Sequence, residues 1–212
     1  MNRLNPERWS GLWQRATNRS APFGLYERLL AMYAEQHRHY HNQQHIADCL
    51  SEFDPARHLA TEPDAVELAI WFHDAIYDTR ASDNEERSAE LASSWLRQAG
   101  ASAALTDSVQ RSVLATKAHT GTSHPDASLL VDVDLSIFGQ CPQRFWEYER
   151  AIRAEYAWVE QETYVAKRAE ILARFLARPR IYLTEYFYGR FEESAQVNLH
   201  SSIERLRSGI TP

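Results

Sequence analysis

Histidine and aspartate residues in three separate segments of the chain have the side chains that bind divalent metal ions in proteins. Imidazole nitrogens and carboxylate oxygens together form a mixed site that suits Mn²⁺, Fe²⁺, Co²⁺, Ni²⁺ or Zn²⁺, with Mg²⁺ as a further possibility. Such a set predicts a divalent-metal site if the fold brings the segments together. The candidates are His41 and His45 in the first segment, His73 and Asp74 in the second, and Asp132 and Asp134 in the third.

The third segment offers a choice between two carboxylates. On a helix, Asp132 and Asp134 would point roughly 200° apart. The residues three and four positions from Asp134 are all apolar, whereas those around Asp132 are mixed. A carboxylate within an apolar face is unfavourable unless a partner satisfies it. We therefore expect Asp134 to be the ligand, and Asp132 is its main rival.

The second segment follows a stretch that is apolar on nearly all sides, Ala65–Phe72. A helix of this kind belongs in the interior of a bundle. Two ionisable residues at its end, His73 and Asp74, are costly to bury unless a metal or another partner satisfies them. The first segment is less distinctive. His41 and His45 are four residues apart and would share a helix face, and Cys49 belongs to the apolar stripe that flanks His45.

Taken in order, His45, His73-Asp74 and Asp134 resemble the H…HD…D signature of the HD-domain superfamily of metal-dependent phosphohydrolases. The segments that begin at His41 and at Asp134 are also similar to motifs of the cyclic-nucleotide phosphodiesterases, a branch of that superfamily. Resemblance to a bacterial group of predicted metal-dependent HD phosphohydrolases covers most of the chain. It is carried by RHYHNQQHI, AIWFHDAIYD, DNEERSAELA, LLVDVDLSIFG, IRAEY and FLARPRIY.

The resemblance implies an all-α HD-domain bundle with a central metal held by His45, His73, Asp74 and Asp134. It implies hydrolysis of a small phosphoester or phosphoanhydride, with nucleotides as the first substrates to consider. The metal would polarise a phosphoryl oxygen and lower the pKa of its bound water towards ~7. Asp74 would orient that water, and His41 would protonate the leaving group, a role worth ~10²–10⁴-fold in rate.

Other polar residues are candidates for a second metal or for substrate contacts. The histidine after one predicted helix could point into the cleft, although a partly exposed residue at the helix end is the alternative. An aspartate follows the HD pair in the next loop, and basic residues further on could form a phosphate pocket, with a solvated helix face as the alternative. These candidates are His119, Asp78, Arg153 (with Tyr156) and Lys167.

Two other functions remain open at this stage. Some HD-fold proteins are oxygenases with a di-iron site, which would need additional histidine ligands such as His119 and His124. The third hypothesis is a regulator that binds a nucleotide or metal without turnover, although a complete ligand set argues against it.

Helical spacing of apolar residues predicts an all-α protein of eight to ten helices in a single domain, 1–212. Only seven glycines occur, which argues against many tight β-turns. Asp83 is the expected N-cap of one helix, with Glu86 at its third position and Gly100 just past its end. The other expected helices run from Ala103 to before Gly121, from Pro125 to Gly139, from Pro142, from Gln161 to Arg178, and from Phe191 to Arg207.

Composition limits the classes of partner that we expect the protein to bind. The net charge of −6 gives no broad basic surface for duplex nucleic acid. No apolar run approaches the roughly 18 residues of a membrane span, and no signal peptide is apparent. The two cysteines, Cys49 and Cys141, form no CxxC pair, so a reducing cytoplasm is expected. We therefore expect a small phosphorylated substrate and no membrane partner, with a homodimer as a possible assembly.

Overall fold

The computed structural model describes residues 3–120 and 123–209, and within these ranges all regular structure is helical. The all-α prediction and the expected number of helices are confirmed. No helix in these ranges is long and apolar enough to cross a membrane. The helices are α1 (Pro6–Thr17), α2 (Leu25–Met32), α3 (Gln43–Ala56), α4 (Pro63–Phe72), α5 (Asn84–Gln98), α6 (Ala103–Ala115), α7 (Pro125–Leu135), α8 (Pro142–Glu155), α9 (Gln161–Leu176) and α10 (Glu185–Arg207), with short 3-10 helices at Arg57–Leu59 and Ser136–Gly139.

The backbone contacts group the chain into two compact units, one ending at Val133 and the other beginning at Asp134. The boundary falls inside α7, so all but the last two residues of this unbroken helix belong to the first unit. The first unit also contains α1 to α6, and the second contains α8 to α10. A single domain over 1–212 stays a prediction.

Helix α4 lies in the core of the first unit, as its composition predicts. Every residue from Ala65 to Phe72 is at most 2% exposed. Pro63 occupies the first turn, where its missing N–H removes no helical hydrogen bond. The backbone N–H groups of Thr61 and Glu62 donate to the two carboxylate oxygens of Asp126, each at 2.7 Å. Asp126 therefore satisfies donors at the start of α4 and attaches the first turn of α7 to it.

One charged residue, Glu67, lies among the apolar side chains of α4. Its carboxylate accepts a hydrogen bond from Arg8 Nε of α1 at 2.7 Å and another from Arg57 Nη1 of the first 3-10 helix. A buried carboxylate is stable only with such partners. These contacts hold α4 against two neighbouring elements.

Several predicted helix ends agree with the structure, and one is wrong. Asp83 is the N-cap of α5, and Gly100 follows the helix at φ +72°, a conformation that favours glycine. The expected capping box does not form, because Asp83 makes no side-chain cap and Glu86 pairs with Lys117. Helix α10 begins at Glu185 rather than Phe191, since Thr184 accepts a hydrogen bond from Phe187 N and so provides an earlier cap.

In the second unit, a buried ion pair joins α8 to α9. Glu149 is fully buried and Arg168 is 8% exposed, and their side chains are hydrogen-bonded. Arg168 Nη2 also donates to Tyr148 Oη at 2.7 Å, and Ser202 of α10 donates to Glu149 Oε2 at 3.0 Å. Both charged groups of this pair thus have hydrogen-bond partners on neighbouring helices.

Candidate metal centre

His73 ends α4 with a defined orientation of its imidazole ring. The ring is 1% exposed, and its Nδ1 lies 2.8 Å from the carbonyl oxygen of Ile70. A carbonyl oxygen can only accept, so Nδ1 carries the proton. In the neutral ring, Nε2 therefore offers a lone pair, which is the arrangement found in metal-binding histidines.

His45, the third residue of α3, brings a second nitrogen close to Nε2 of His73. Its ring is 1% exposed, and its Nε2 lies 3.0 Å from His73 Nε2. Two nitrogens bound at about 2.0–2.1 Å to one tetrahedral ion would lie about 3.3–3.4 Å apart, so the observed separation is within a few tenths of an ångström of shared coordination.

Asp74 adds a carboxylate to the two nitrogens. Its Oδ2 lies 3.1 Å from His73 Nε2 and 3.4 Å from His45 Nε2. Burial by itself raises the pKa of the carboxyl group. When the imidazole rings are protonated, the charges of His73 and His41 and hydrogen bonds from His45 and His73 outweigh burial and hold the pKa of Asp74 well below its ordinary value. The side chain thus stays a carboxylate and remains 16% exposed.

A second group of donors shares His45 and His73 but contains Asp134 in place of Asp74, together with a residue that the sequence did not single out, Cys49. One potential ligand atom from each of His45, Cys49, His73 and Asp134 lies within 4.8 Å of the others. Within residues 3–120 and 123–209, these four residues form a group that could hold a metal ion. Asp134 reaches it from the last turn of α7, the helix that runs continuously out of the first unit.

The two aspartates of α7 differ in burial in a way that the sequence did not suggest. Asp132 is fully buried, whereas Asp134 is half-buried. Burial alone would therefore select Asp132, yet the donor group found in the described part of the chain contains Asp134. The helix neighbours of Asp134 are apolar and buried. The half-buried carboxylate of Asp134 is the one that lies close to the ligand atoms of His45, Cys49 and His73.

Cys49 was assigned from sequence to the apolar stripe of α3. The burial of this stripe is confirmed, since Ile46, Leu50 and Phe53 are fully buried and Cys49 is 2% exposed. However, Cys49 Sγ lies 3.8 Å from Nδ1 and 3.8 Å from Nε2 of His45. Its position four residues after His45 was the signal that could have identified it.

His41 does not share a helix with His45, and this sequence interpretation is wrong. It lies in the turn before α3, whose N-cap is Asn42. Asn42 Oδ1 accepts from Gln44 N, so the helix cannot extend back to His41. The half-buried His41 ring nevertheless lies 5.7 Å from the His45 ring and stacks on Tyr77 at 4.2 Å.

Arg38 joins the two segments that carry these residues. It is 5% exposed and donates from Nη1 to the carbonyl oxygens of Asp74 (2.6 Å) and His41 (3.2 Å) and from Nη2 to that of Ala75 (2.9 Å). Sequence reasoning missed this residue, because an arginine in a polar stretch ordinarily indicates solvent exposure. Its role is to position the backbone on both sides of the candidate site.

Two candidates for substrate or second-metal contact, Asp78 and His119, lie outside the donor group. The exposed Asp78 accepts from Arg80 N at 2.8 Å, and its own backbone groups bond to Asn84. His119 is half-buried after α6, at a left-handed φ of +47°. Neither residue, nor His124, belongs to the donor group found within 3–120 and 123–209.

The basic candidates of the second unit also have local partners. Arg153 donates to the carbonyl oxygens of Tyr156 (2.6 Å) and Val159 (3.2 Å) and lies over the ring of Tyr164. Lys167 is exposed and pairs with Glu170 at 3.3 Å. These contacts agree with the alternative of a solvated helix face.

Comparison of the chain with family models, with curated proteins and with solved structures gave no match. The assignment of a function therefore depends on the donor set itself. Two imidazoles, two carboxylates and a thiol at these separations fit a divalent transition metal.

Proposed function

We propose that this chain is a metal-dependent phosphohydrolase of the HD type that acts on a small phosphoester or phosphoanhydride, with a nucleotide-like substrate as the first candidate. One observation supports it most. Nε2 of His45, Nε2 of His73 and Oδ2 of Asp74 lie within 3.4 Å of one another, in the order that the HD signature requires. Asp134, the last residue of that signature, belongs to the donor group that also contains His45, Cys49 and His73.

His45, His73 and Asp134 would hold the ion, with Asp74 beside the first two. A divalent cation there would supply a Lewis acid that polarises a phosphoryl oxygen and increases the acidity of water. The low pKa of Asp74 keeps it ionised, so its carboxylate can accept a hydrogen bond from the attacking water and orient it.

His41 is placed to act on the leaving group. It lies outside the donor group but next to it, with its ring 5.7 Å from that of His45, and it is half-buried. Stacking on Tyr77 fixes the ring plane. A proton held at this edge of the site can pass to the departing oxygen of a phosphate ester.

The test compares Asp74→Asn with Asp107→Asn, a matched change at an exposed aspartate of α6. Both purified variants and the wild type are analysed for bound metal and assayed for phosphate release on a panel of nucleotides and other phosphate esters with each metal. We expect the wild type to turn over at least one substrate, Asp74→Asn to lose about 10²-fold or more in kcat/KM, and Asp107→Asn to match the wild type.

Three results would contradict the proposal. Inactivity of metal-loaded wild type on the whole panel, together with tight nucleotide binding, would indicate a regulator. Two irons per chain with O₂ consumption would indicate a di-iron oxygenase. Activity that Asp74→Asn leaves unchanged would remove this site from the reaction.

A further inference from the structure

We propose that Cys49 is a thiolate ligand of the same metal ion, which makes the centre selective for a thiophilic ion of the Zn²⁺ type over Mg²⁺. The inference rests on the proposed function in assuming that His45 and His73 bind the ion. It goes further by adding a soft sulfur donor that the H…HD…D pattern does not contain.

The position of Cys49 on α3 places it with His45. Residues four apart lie one turn from each other on the same face of a helix, and both side chains are at most 2% exposed. Polar donors on a buried face need partners. The partners here are the ligand atoms of His73 and Asp134, all within 4.8 Å.

The distances fit a sulfur ligand. With Zn–N of about 2.0–2.1 Å and Zn–S of about 2.3 Å, tetrahedral coordination separates nitrogen and sulfur by about 3.6 Å. Cys49 Sγ lies 3.8 Å from His45 Nε2, the same nitrogen that lies 3.0 Å from His73 Nε2. The separation of Sγ and Nε2 is thus about 0.2 Å longer than shared tetrahedral coordination requires.

A thiolate in the set changes which ions bind. Soft sulfur donors select Zn²⁺ and similar transition metals, whereas Mg²⁺ requires oxygen ligands. Binding breaks the S–H bond of Cys49, forms a metal–sulfur bond and releases the proton to solvent. Zinc can expand to five ligands, which leaves a position for water beside Asp74.

The test uses cobalt as a spectroscopic probe and Cys141→Ser as the background, because this change removes the exposed second cysteine. In that background, Co²⁺ is titrated into the parent and into Cys49→Ser, Cys49→Ala and His73→Ala. We expect a near-ultraviolet thiolate-to-cobalt charge-transfer band in the parent and complete loss of this band in both Cys49 variants. A second measurement needs no change at Cys49: zinc-edge X-ray absorption of the Cys141→Ser protein should show one sulfur at about 2.3 Å.

The outcomes separate this inference from the proposed function. Tight binding of Co²⁺ that depends on His73 but gives no charge-transfer band, with only nitrogen and oxygen around zinc, would overturn the role of Cys49 and leave the proposed function standing. Absence of any metal binding by the folded parent would overturn both. A band that persists in Cys49→Ser would also reject Cys49 as the ligand.

Discussion

One hydrogen bond sets both the orientation of the His73 imidazole and the nitrogen that carries its proton. Donation from Nδ1 to Ile70 leaves the Nε2 lone pair directed at His45 and Asp74. Protons compete with a metal for the same lone pair, so metal affinity should fall in acid. The neighbouring His41 lies outside the donor group, with its ring 5.7 Å from that of His45.

A substitution at His41 should separate catalysis from metal binding. In His41→Gln we expect kcat to fall by about 10²–10⁴-fold, because the leaving group loses its proton donor, while the metal content per chain stays at the wild-type value. The measurements are steady-state kinetics and elemental analysis of the same preparation.

His39→Gln is the matched control, since His39 is exposed two residues earlier in the same loop. Equal activity of the two variants, or loss of metal from His41→Gln, would show that His41 is not the proton donor.

Arg38 acts between elements, because it bonds to the loop before α3 and to the turn after α4. Lysine keeps the charge but cannot span three carbonyl oxygens as the guanidinium does. In Arg38→Lys we expect a loss of about 2 kcal/mol in the free energy of unfolding and about 10–100-fold weaker metal binding. Urea unfolding and calorimetric titration with Zn²⁺ measure the two effects.

The control for Arg38 is Arg97→Lys, at an exposed pair with Glu90. We expect it to change stability by less than about 1 kcal/mol. Wild-type metal affinity in Arg38→Lys would mean that the two ligand segments are held in place without this arginine.

The buried Tyr148 on α8 should make the free energy of unfolding depend on pH in the alkaline range. Burial, with help from Glu149 and against Arg168, raises its pKa from 10.0 to about 12. The folded protein therefore keeps the phenol proton in a pH range where the unfolded chain loses it, so stability is complete below pH 10 and falls as pH rises towards 12.

Between about pH 9 and about pH 11, the wild type should lose about 1 kcal/mol more unfolding free energy than Tyr148→Phe. Urea unfolding at the two pH values measures the difference. Tyr188→Phe, at an exposed tyrosine, should behave as the wild type. An equal loss in wild type and Tyr148→Phe would show that the Tyr148 phenol does not carry this dependence.

The elements that the sequence could predict are those with local signals. Asp83 and Gly100 mark the ends of α5, and the apolar run identifies α4 as a buried helix. The start of α10 was placed too late, because Gly189 obscured the Thr184 cap. The sequence could not place Cys49 in the donor group, because a buried thiol in an apolar stripe looks the same whether or not metal-binding side chains lie beside it. Arg38 could not be assigned, since two of its three carbonyl partners, Asp74 and Ala75, are distant in the sequence.

At the scale of the whole molecule, each of the two units contains a buried carboxylate paired with arginine, Glu67 in the first and Glu149 in the second. Glu67→Gln removes a buried charge whose arginine partners, Arg8 and Arg57, are partly exposed and keep Asp54 and Asp64 as partners. We therefore expect a loss of about 1.5–3 kcal/mol in unfolding free energy, the usual contribution of hydrogen bonds to a charged group. At about 2–4 °C per kcal/mol, the fall in Tm should be readily measured by calorimetry.

Glu90→Gln removes an exposed carboxylate that also pairs with an arginine, and it should change Tm by only a few degrees at most. A similar small change for Glu67→Gln would mean that the Glu67 network contributes little to holding α4.

The contacts of α4 bear on which ions the candidate metal site could accept. Asp126 holds the beginning of this helix and Glu67 its middle, so α4 is attached at two points within the first unit. His73 and Asp74 are therefore oriented by the fold, and an ion bound there would not bear the entropic cost of ordering them. A rigid cradle of this kind distinguishes ions by radius and bond length, as flexible sites do not.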